Sequence, residues 1–254
     1  MAQLVVEHVN KIYGARSAGQ SEVHALQDFS FEAAGHTFVC LVGPSGCGKS
    51  TFLNLVSGVE KPTSGRLSVR GAAAQARIGY VFQDPRLLPW RTILDNMTYV
   101  HDEGSRKSRQ GKCMDYLAMV GLAHTAKMYP GQLSGGMRQR VGIARALSVE
   151  PDLLLMDEPF SHLDAITARG LRTELQELWG SSGATVLFVT HDVNEAVQLS
   201  DRILMMSKGG TLYADIPIAL PRPRLQTDRA VVTQQADVLA LFEQMQGSPA
   251  VIQS

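Results

Sequence analysis

The run Gly43-Pro44-Ser45-Gly46-Cys47-Gly48-Lys49-Ser50-Thr51 sits between a continuous apolar stretch, Phe38-Val39-Cys40-Leu41-Val42, and a segment of helical character from Lys49 to Gly58. It fits G-x-x-x-x-G-K-[ST], a loop that works only between a buried parallel strand and a helix start. That requirement points to an open α/β sheet with its ligand at the carboxyl edge of the strands. The glycines let main-chain N–H groups turn inward toward phosphate oxygens, and the helix start adds its positive dipole end. Gly43, Gly46 and Gly48 meet this need. Lys49 would then reach the β- and γ-phosphates, and the Ser50 hydroxyl would face Mg²⁺. A plain glycine-rich turn before a core helix is the competing reading; the flanking strand and helix set it aside.

Two more apolar runs end in polar residues, Leu153-Leu154-Leu155-Met156-Asp157 and Val186-Leu187-Phe188-Val189-Thr190. Leu4 to Val9, Arg66 to Val69 and Ile203 to Met206 read as further strands, some in an antiparallel layer near the N-terminus. Asp157 and Glu158 therefore stand at a strand end, where one carboxylate can hold magnesium and the next can polarise an attacking water. An isolated Asp-Glu pair would be read as a solvated strand end, and the phosphate loop reverses that judgement. Between Gln83 and Glu150 the pattern changes. Ile93 to Val100, Cys113 to Val120 and Met137 to Ser148 look helical, which predicts a mostly helical subdomain at about 84–150 inserted in a domain spanning 1–215. Residues 216–254 form an extension in which Pro217 to Arg224, with three prolines and two arginines, reads as an extended surface connection. Ala230 to Gln246 reads as a terminal helix.

Lys plus Arg and Asp plus Glu each number 24 in 254 residues, so no basic field is available for a nucleic-acid backbone, and nucleic acid is not expected as a partner. No apolar run approaches bilayer length, and the start Met1-Ala2-Gln3-Leu4-Val5-Val6-Glu7 lacks a basic region followed by a long apolar one. A cytoplasmic location is expected. The three cysteines, Cys40, Cys47 and Cys113, show no C-x-x-C spacing, so neither a disulfide framework nor a zinc site is indicated. Positive charge near Cys47 would lower its thiol pKa; filling a tolerant loop position is the plainer role.

Leu133-Ser134-Gly135-Gly136-Met137 opens a second helix whose first N–H groups would face an anion. Two such starts in one chain either serve two ligands or let two copies share each ligand.

As a set, these residues resemble the nucleotide-binding subunits of ABC transporters, over roughly Leu4 to Asp215. The resemblance implies an α/β fold with a P-loop NTPase (RecA-like) core, an N-terminal antiparallel β layer and an inserted helical subdomain. It also implies ATP and Mg²⁺ as ligands. Gly43, Pro44, Ser45, Gly46, Cys47, Gly48, Lys49, Ser50 and Thr51 would hold the nucleotide. Tyr13 is similar to the aromatic that stacks on adenine, and Gln83 to the glutamine that joins magnesium to the transmembrane partner. Ser134, Gly135 and Gly136 are similar to the signature that completes the partner copy's ATP site. By the same likeness Ser50, Gln83 and Asp157 attend the metal, while Glu158, Lys49 and His191 serve catalysis, His191 as the switch that senses the γ-phosphate. Ser161-His162-Leu163-Asp164 resembles the dimer-contact loop. Tyr13, Gln83 and His191 each also read as ordinary strand-end residues, and the family's register favours function.

Two positions depart from the family's pattern. Met137 replaces the usual glutamine, and His162 stands where a small residue is common, an imidazole open to pH-dependent contact. Asp84-Pro85-Arg86-Leu87-Leu88-Pro89-Trp90-Arg91-Thr92 and Leu220-Pro221-Arg222-Pro223-Arg224 are similar to the nitrate, sulfonate and taurine importer group. That likeness implies transmembrane permease subunits as partners, with Leu87, Leu88, Pro89 and Trp90 as an apolar docking surface. It further implies a second copy of the chain, an indirectly coupled solute-binding protein, and a peripheral place on the cytoplasmic face of the cell membrane. The alternatives are a different solute or a soluble, non-transport ATPase of the same superfamily.

Overall fold

The computed structural model describes residues 2–14, 22–70, 76–161 and 163–247. The chain divides into two compact units, one of Ala2–Arg70 with Thr185–Ser254 and the other of Gly71–Ala184.

In the first unit, β1 (Gln3–Tyr13) pairs antiparallel with β2 (Val23–Ala33) and with β4 (Ser64–Arg70), placing Leu4 level with Ala33 and with Val69. This is the expected antiparallel layer, with its first strand longer than Leu4 to Val9. β2 is not legible in the sequence. Its pairing with β1 slips at a bulge where His8 (φ 49°) and Asp28 (φ 47°) both take left-handed backbone, so no clean alternation of apolar and polar residues survives.

The second layer of this unit is mostly parallel. β3 (Phe38–Val42) lies between β7 (Thr185–Thr190) and β8 (Arg202–Met206), with Cys40 level with both Phe188 and Ile203, and β9 (Leu212–Pro217) adds antiparallel to β8. Every residue of β3 and β7 is buried, as strands covered on both faces must be, hence their unbroken apolar runs. α1 (Lys49–Val56) packs by Phe52, whose ring centroid lies 5.1 Å from Phe29 and 5.7 Å from Phe31 of β2. Burying an aromatic of this size stabilises by about 1.5–3 kcal/mol, so the helix that follows the phosphate loop is locked to the antiparallel layer. α6 (Val193–Leu199) packs on β3, and α7 (Arg229–Gln246) packs on α6 and buries Val231 and Val238.

The second unit pairs β5 (Ile78–Val81) in parallel with β6 (Leu153–Asp157). Its helices are α2 (Ile93–Thr98), α3 (Arg106–Met119), α4 (Gly135–Ser148) and α5 (Ala165–Ser182). Ile93, Met97, Cys113, Leu117, Val141 and Ala144 form a common apolar core under α2, α3 and α4. α3 begins seven residues before the expected Cys113 because its first turns, Arg106 to Lys112, are polar and carry no apolar period. The Ser105 hydroxyl caps it by accepting from Ser108 N–H at 3.2 Å.

Pro217 to Arg224 is not the simple surface connection expected. Arg224 is 2% exposed, and its guanidinium donates to the carbonyls of Val197 (2.7 Å), Ser200 (2.5 Å), Ile218 (3.2 Å) and Leu220 (2.8 and 3.1 Å). All five guanidinium N–H donors are thereby used. Burial, reinforced by neighbouring Arg222, pushes its pKa down to about 10, so it stays charged at neutral pH. Replacing Arg224 with Leu would leave the buried carbonyls of Val197 and Ser200 unpaired, at about 1–3 kcal/mol each. Urea unfolding should show a loss of roughly 3 kcal/mol or more for Arg224→Leu, and a smaller loss for Arg224→Lys, whose ammonium cannot span the same acceptors.

Candidate functional site

In the first unit the glycine loop leaves β3 at Val42 and enters α1 at Lys49. Gly48, the residue before the helix, takes φ 110°, and a Cβ there would lie 2.2 Å from the Ala25 carbonyl oxygen. Conformation and space both exclude any side chain at that position. A Cβ on Gly43 would likewise lie 2.5 Å from the Met206 carbonyl oxygen and 2.6 Å from Cys47 Sγ. The loop is therefore packed into its own unit as tightly as it is shaped for an anion. Lys49 is 7% exposed, and its ammonium donates to the carbonyls of Gly43 at 2.7 Å and Pro44 at 3.1 Å. These contacts fold the side chain back over Gly43 and Pro44, where a phosphate held by loop N–H groups would meet its charge.

Tyr13 ends β1. Its hydroxyl donates to Glu60 at 2.7 Å, and Lys11, itself 3.0 Å from Glu60, covers one ring face at 4.9 Å. Burial and Glu60 raise the Tyr13 pKa, and the Thr51 hydroxyl offsets part of that rise, which puts the phenol beside the start of α1. A base stacking on Tyr13 would use the ring face away from Lys11. His191 follows β7 and is exposed, between two pinned neighbours. Thr190 donates to Glu195 at 2.7 Å and accepts from Asp192 N–H at 3.1 Å, while Asp192 caps α6 by accepting from Asn194 N–H at 2.7 Å.

The remaining candidates belong to the second unit. Asp157 is the last residue of β6, and Glu158 takes left-handed backbone at φ 42°, a conformation that costs about 1–2 kcal/mol for a residue with a side chain. Its carbonyl accepts from both the N–H (3.2 Å) and the hydroxyl (3.0 Å) of Ser161. Gln83, just past β5, donates from Nε2 to the same Ser161 hydroxyl at 3.0 Å. Ser134 caps α4, its hydroxyl accepting from Met137 N–H at 3.3 Å, and Gly135 and Gly136 form the first turn. A Cβ on Gly136 would come within 2.7 Å of Thr167 Cγ2, so this turn lies against the start of α5. Gln83, Gly135, Arg138, Gln139, Pro159 and Leu163 line one polar cleft of about 270 Å³. The structure thus gathers the glutamine, the signature turn and the residues after Glu158 within one unit. His162 lies outside the described residues. Met137 departs from the family's glutamine without loss of local structure: its N–H takes the cap, and its side chain packs on the helical core.

Glu60 and Gln139 escaped the sequence reading, and Ser161, read there only as part of the dimer-contact loop, has a further contact. Glu60 is the anchor of Tyr13, the Ser161 hydroxyl joins Gln83 to Glu158, and Gln139 donates to the Phe82 carbonyl at 3.2 Å while only 3% exposed. Gln139 left one usable signal, a polar residue in helical register with the buried Gly142, Ile143 and Ala146.

A glycine loop between a buried parallel strand and a helix, with a second strand ending in Asp-Glu, defines a phosphate-loop nucleoside triphosphatase. The chain belongs to the ABC transporter family, whose sequence pattern matches residues 26–161. It is 40% identical over 249 residues to the "Aliphatic sulfonates import ATP-binding protein SsuB 3" of Pseudomonas syringae, covering 97% of this chain and 88% of that one. It is 41% identical over 236 residues to the "Bicarbonate transport ATP-binding protein CmpD" of Synechocystis, covering 88% and 82%. A solved structure of the ATP-binding cassette MJ0796, dimeric in a post-hydrolysis state with ADP and Pi, matches at TM-score 0.74 and 31% identity over 86% of this chain and all of the other. The chain is an ATP-binding ATPase of this family, and its fold is the ABC ATPase fold anticipated from its motifs.

Cys47 is buried, and burial pushes its thiol pKa up despite the opposing charge of Lys49. The thiol-lowering effect anticipated from nearby charge therefore loses to desolvation. Because only the thiolate reacts, maleimide labelling of Cys47 should be slow at pH 7 and accelerate above pH 9 in the folded protein. Fast labelling at pH 7 would contradict this.

Proposed function

We propose that the chain is the ATP-hydrolysing subunit of an importer for a small oxyanion such as a sulfonate. Two copies would close around two ATP molecules, each held between one copy's loop and the other's Ser134-Gly135-Gly136. Support for ATP hydrolysis comes above all from the loop before α1, where Gly43 and Gly48 leave no room for a side chain and Lys49 is folded over the phosphate position, and support for import of such a solute comes from the sulfonate and bicarbonate relatives. Lys49 would pair with the β- and γ-phosphates, Tyr13 would stack on the base, and His191 would sense the γ-phosphate. Glu158 would orient and deprotonate the attacking water, a role worth about two to four orders of magnitude in rate.

Ser50, Gln83 and Asp157 offer hydroxyl, amide and carboxylate oxygens, the hard donors that suit Mg²⁺. Among the described residues no three His, Cys, Asp or Glu side chains cluster to cage a metal, which fits an ion held largely by nucleotide and water. When bound, Mg²⁺ would neutralise charge on the β- and γ-phosphate oxygens.

The permease reading draws on a cleft of about 320 Å³ in the second unit, lined by Tyr80, Phe82, Arg86, Leu88, Tyr99 and Val100. Tyr80 stacks on Phe82 at 4.2 Å, Arg86 lies over Phe82 at 4.4 Å, and Trp90 is 72% exposed nearby in sequence. Leu88 lines this cleft, whereas Leu87 packs on the helical core, so the docking surface is formed by part of the stretch read from the sequence. Residues 84–150 would move with the attached permease, and the solute-binding protein would couple through it. Among the described residues no helix is long and apolar enough to cross a membrane, which fits a subunit held at the cytoplasmic face by its partner.

Glu158→Gln should bind ATP, lose turnover by at least about a hundredfold, and accumulate an ATP-bound dimer on size-exclusion chromatography; undiminished hydrolysis would remove Glu158 from its role. Tagged protein drawn from detergent-solubilised native membranes should bring a stoichiometric multi-span permease, and Leu88→Glu should release it while ATP binding persists. Ribosomal or DNA-associated companions with no membrane protein would leave the ATPase and end the transport reading.

A further inference from the structure

Only the oxygen of a glutamine side chain can ligate a cation, yet its oxygen and nitrogen ends are nearly the same size. Packing alone does not choose between them, and hydrogen bonding must. Gln83 meets such a choice at Ser161. The Ser161 hydroxyl carries a single hydrogen, and that hydrogen is directed to the Glu158 carbonyl at 3.0 Å. Toward Gln83 the hydroxyl therefore presents lone pairs, and only Nε2, 3.0 Å away, satisfies them. The Oε1 end is turned away from Ser161. Reversing the amide would oblige the hydroxyl to turn its hydrogen from the Glu158 carbonyl to Oε1, and that carbonyl would lose its hydroxyl donor.

The backbone next to Gln83 is held independently. Gln139, on the buried face of α4, donates to the carbonyl of Phe82 at 3.2 Å. The glutamine is thus anchored twice, its main chain from the helix that follows the signature turn and its amide from the loop that follows Glu158. Ser161 also donates twice to the Glu158 carbonyl, so one residue holds the left-handed backbone of Glu158 and selects which end of Gln83 is available.

We propose that Ser161 is a positioning residue that fixes the amide of Gln83 with Oε1 presented to the metal of the bound nucleotide, an inference that rests on the reading of Gln83 as a metal ligand. Ser161 touches neither nucleotide nor metal in this role. It acts through Gln83, and its hydroxyl rather than its size carries the effect.

The test is the affinity for Mn²⁺, used in place of Mg²⁺ and followed by electron paramagnetic resonance, of the full-length protein saturated with a non-hydrolysable ATP analogue. Ser161→Ala should weaken Mn²⁺ binding by about two- to tenfold, the size of one solvent-accessible hydrogen bond. Analogue binding in EDTA should be unchanged. Ser161→Thr, which keeps the hydroxyl, should restore native affinity. Gln83→Ala should weaken Mn²⁺ at least as much, and adding Ser161→Ala to it should weaken it no further. Native Mn²⁺ affinity in Ser161→Ala beside a weakened Gln83→Ala would overturn the inference alone. So would a Ser161→Ala loss of equal size in the Gln83→Ala background. Native affinity in Gln83→Ala would overturn the metal-ligand reading, and the inference with it.

Discussion

The carbonyl of Ala25 is gripped from two sides. A Cβ on Gly48 would lie 2.2 Å from it and a Cβ on Gly210 would lie 2.1 Å from it, and both glycines take positive φ. The Gln27 N–H adds a hydrogen bond to the Gly210 carbonyl at 3.1 Å. β2 is therefore held between the phosphate loop and the turn after β8 at a separation that only two glycines permit. Since β2 carries Phe29 and Phe31, which pack on Phe52 of α1, the antiparallel layer, the loop and the helix behind it are placed by one contact. The backbone of the loop is thus held in its left-handed turn by packing within its own unit.

Burial dominates the electrostatics around both sets of candidate residues. Cys47 is pushed up despite Lys49, Cys40 behind it is raised well above the ordinary thiol range, and Tyr80 is raised by burial and by Asp157. The buried Lys49 ammonium meets this environment with two carbonyl partners, those of Gly43 and Pro44. The same surroundings make unpaired polar groups costly. Gln139, Thr190 and Arg224, each almost fully buried, all have hydrogen-bonding partners.

Legibility followed burial on both faces. β3, β6 and β7 were readable to the residue, or within one, because strands covered on two sides spell themselves as apolar runs. β2, with its bulge at Asp28, and β9, whose burial alternates at a sheet edge, were not. The polar opening of α3 hid its first two turns for the same reason, since a helix face exposed to water carries no apolar period. Arg224 misled in the other direction. A Pro-Arg-Pro-Arg stretch has the composition of a surface linker, and only the four carbonyls converging on one guanidinium turn it into a buried brace.

The phosphate loop, the acidic strand end, the signature turn and the family they define were determined by the sequence alone, because each depends on residues adjacent in the chain and on local backbone preference. Only the tertiary structure decided that Ser161 accepts from Gln83, that Glu60 holds Tyr13 and that Gln139 ties α4 to Phe82. Those properties depend on which donors and acceptors, dozens of residues apart, are brought within hydrogen-bonding distance of one another, 2.7 to 3.2 Å.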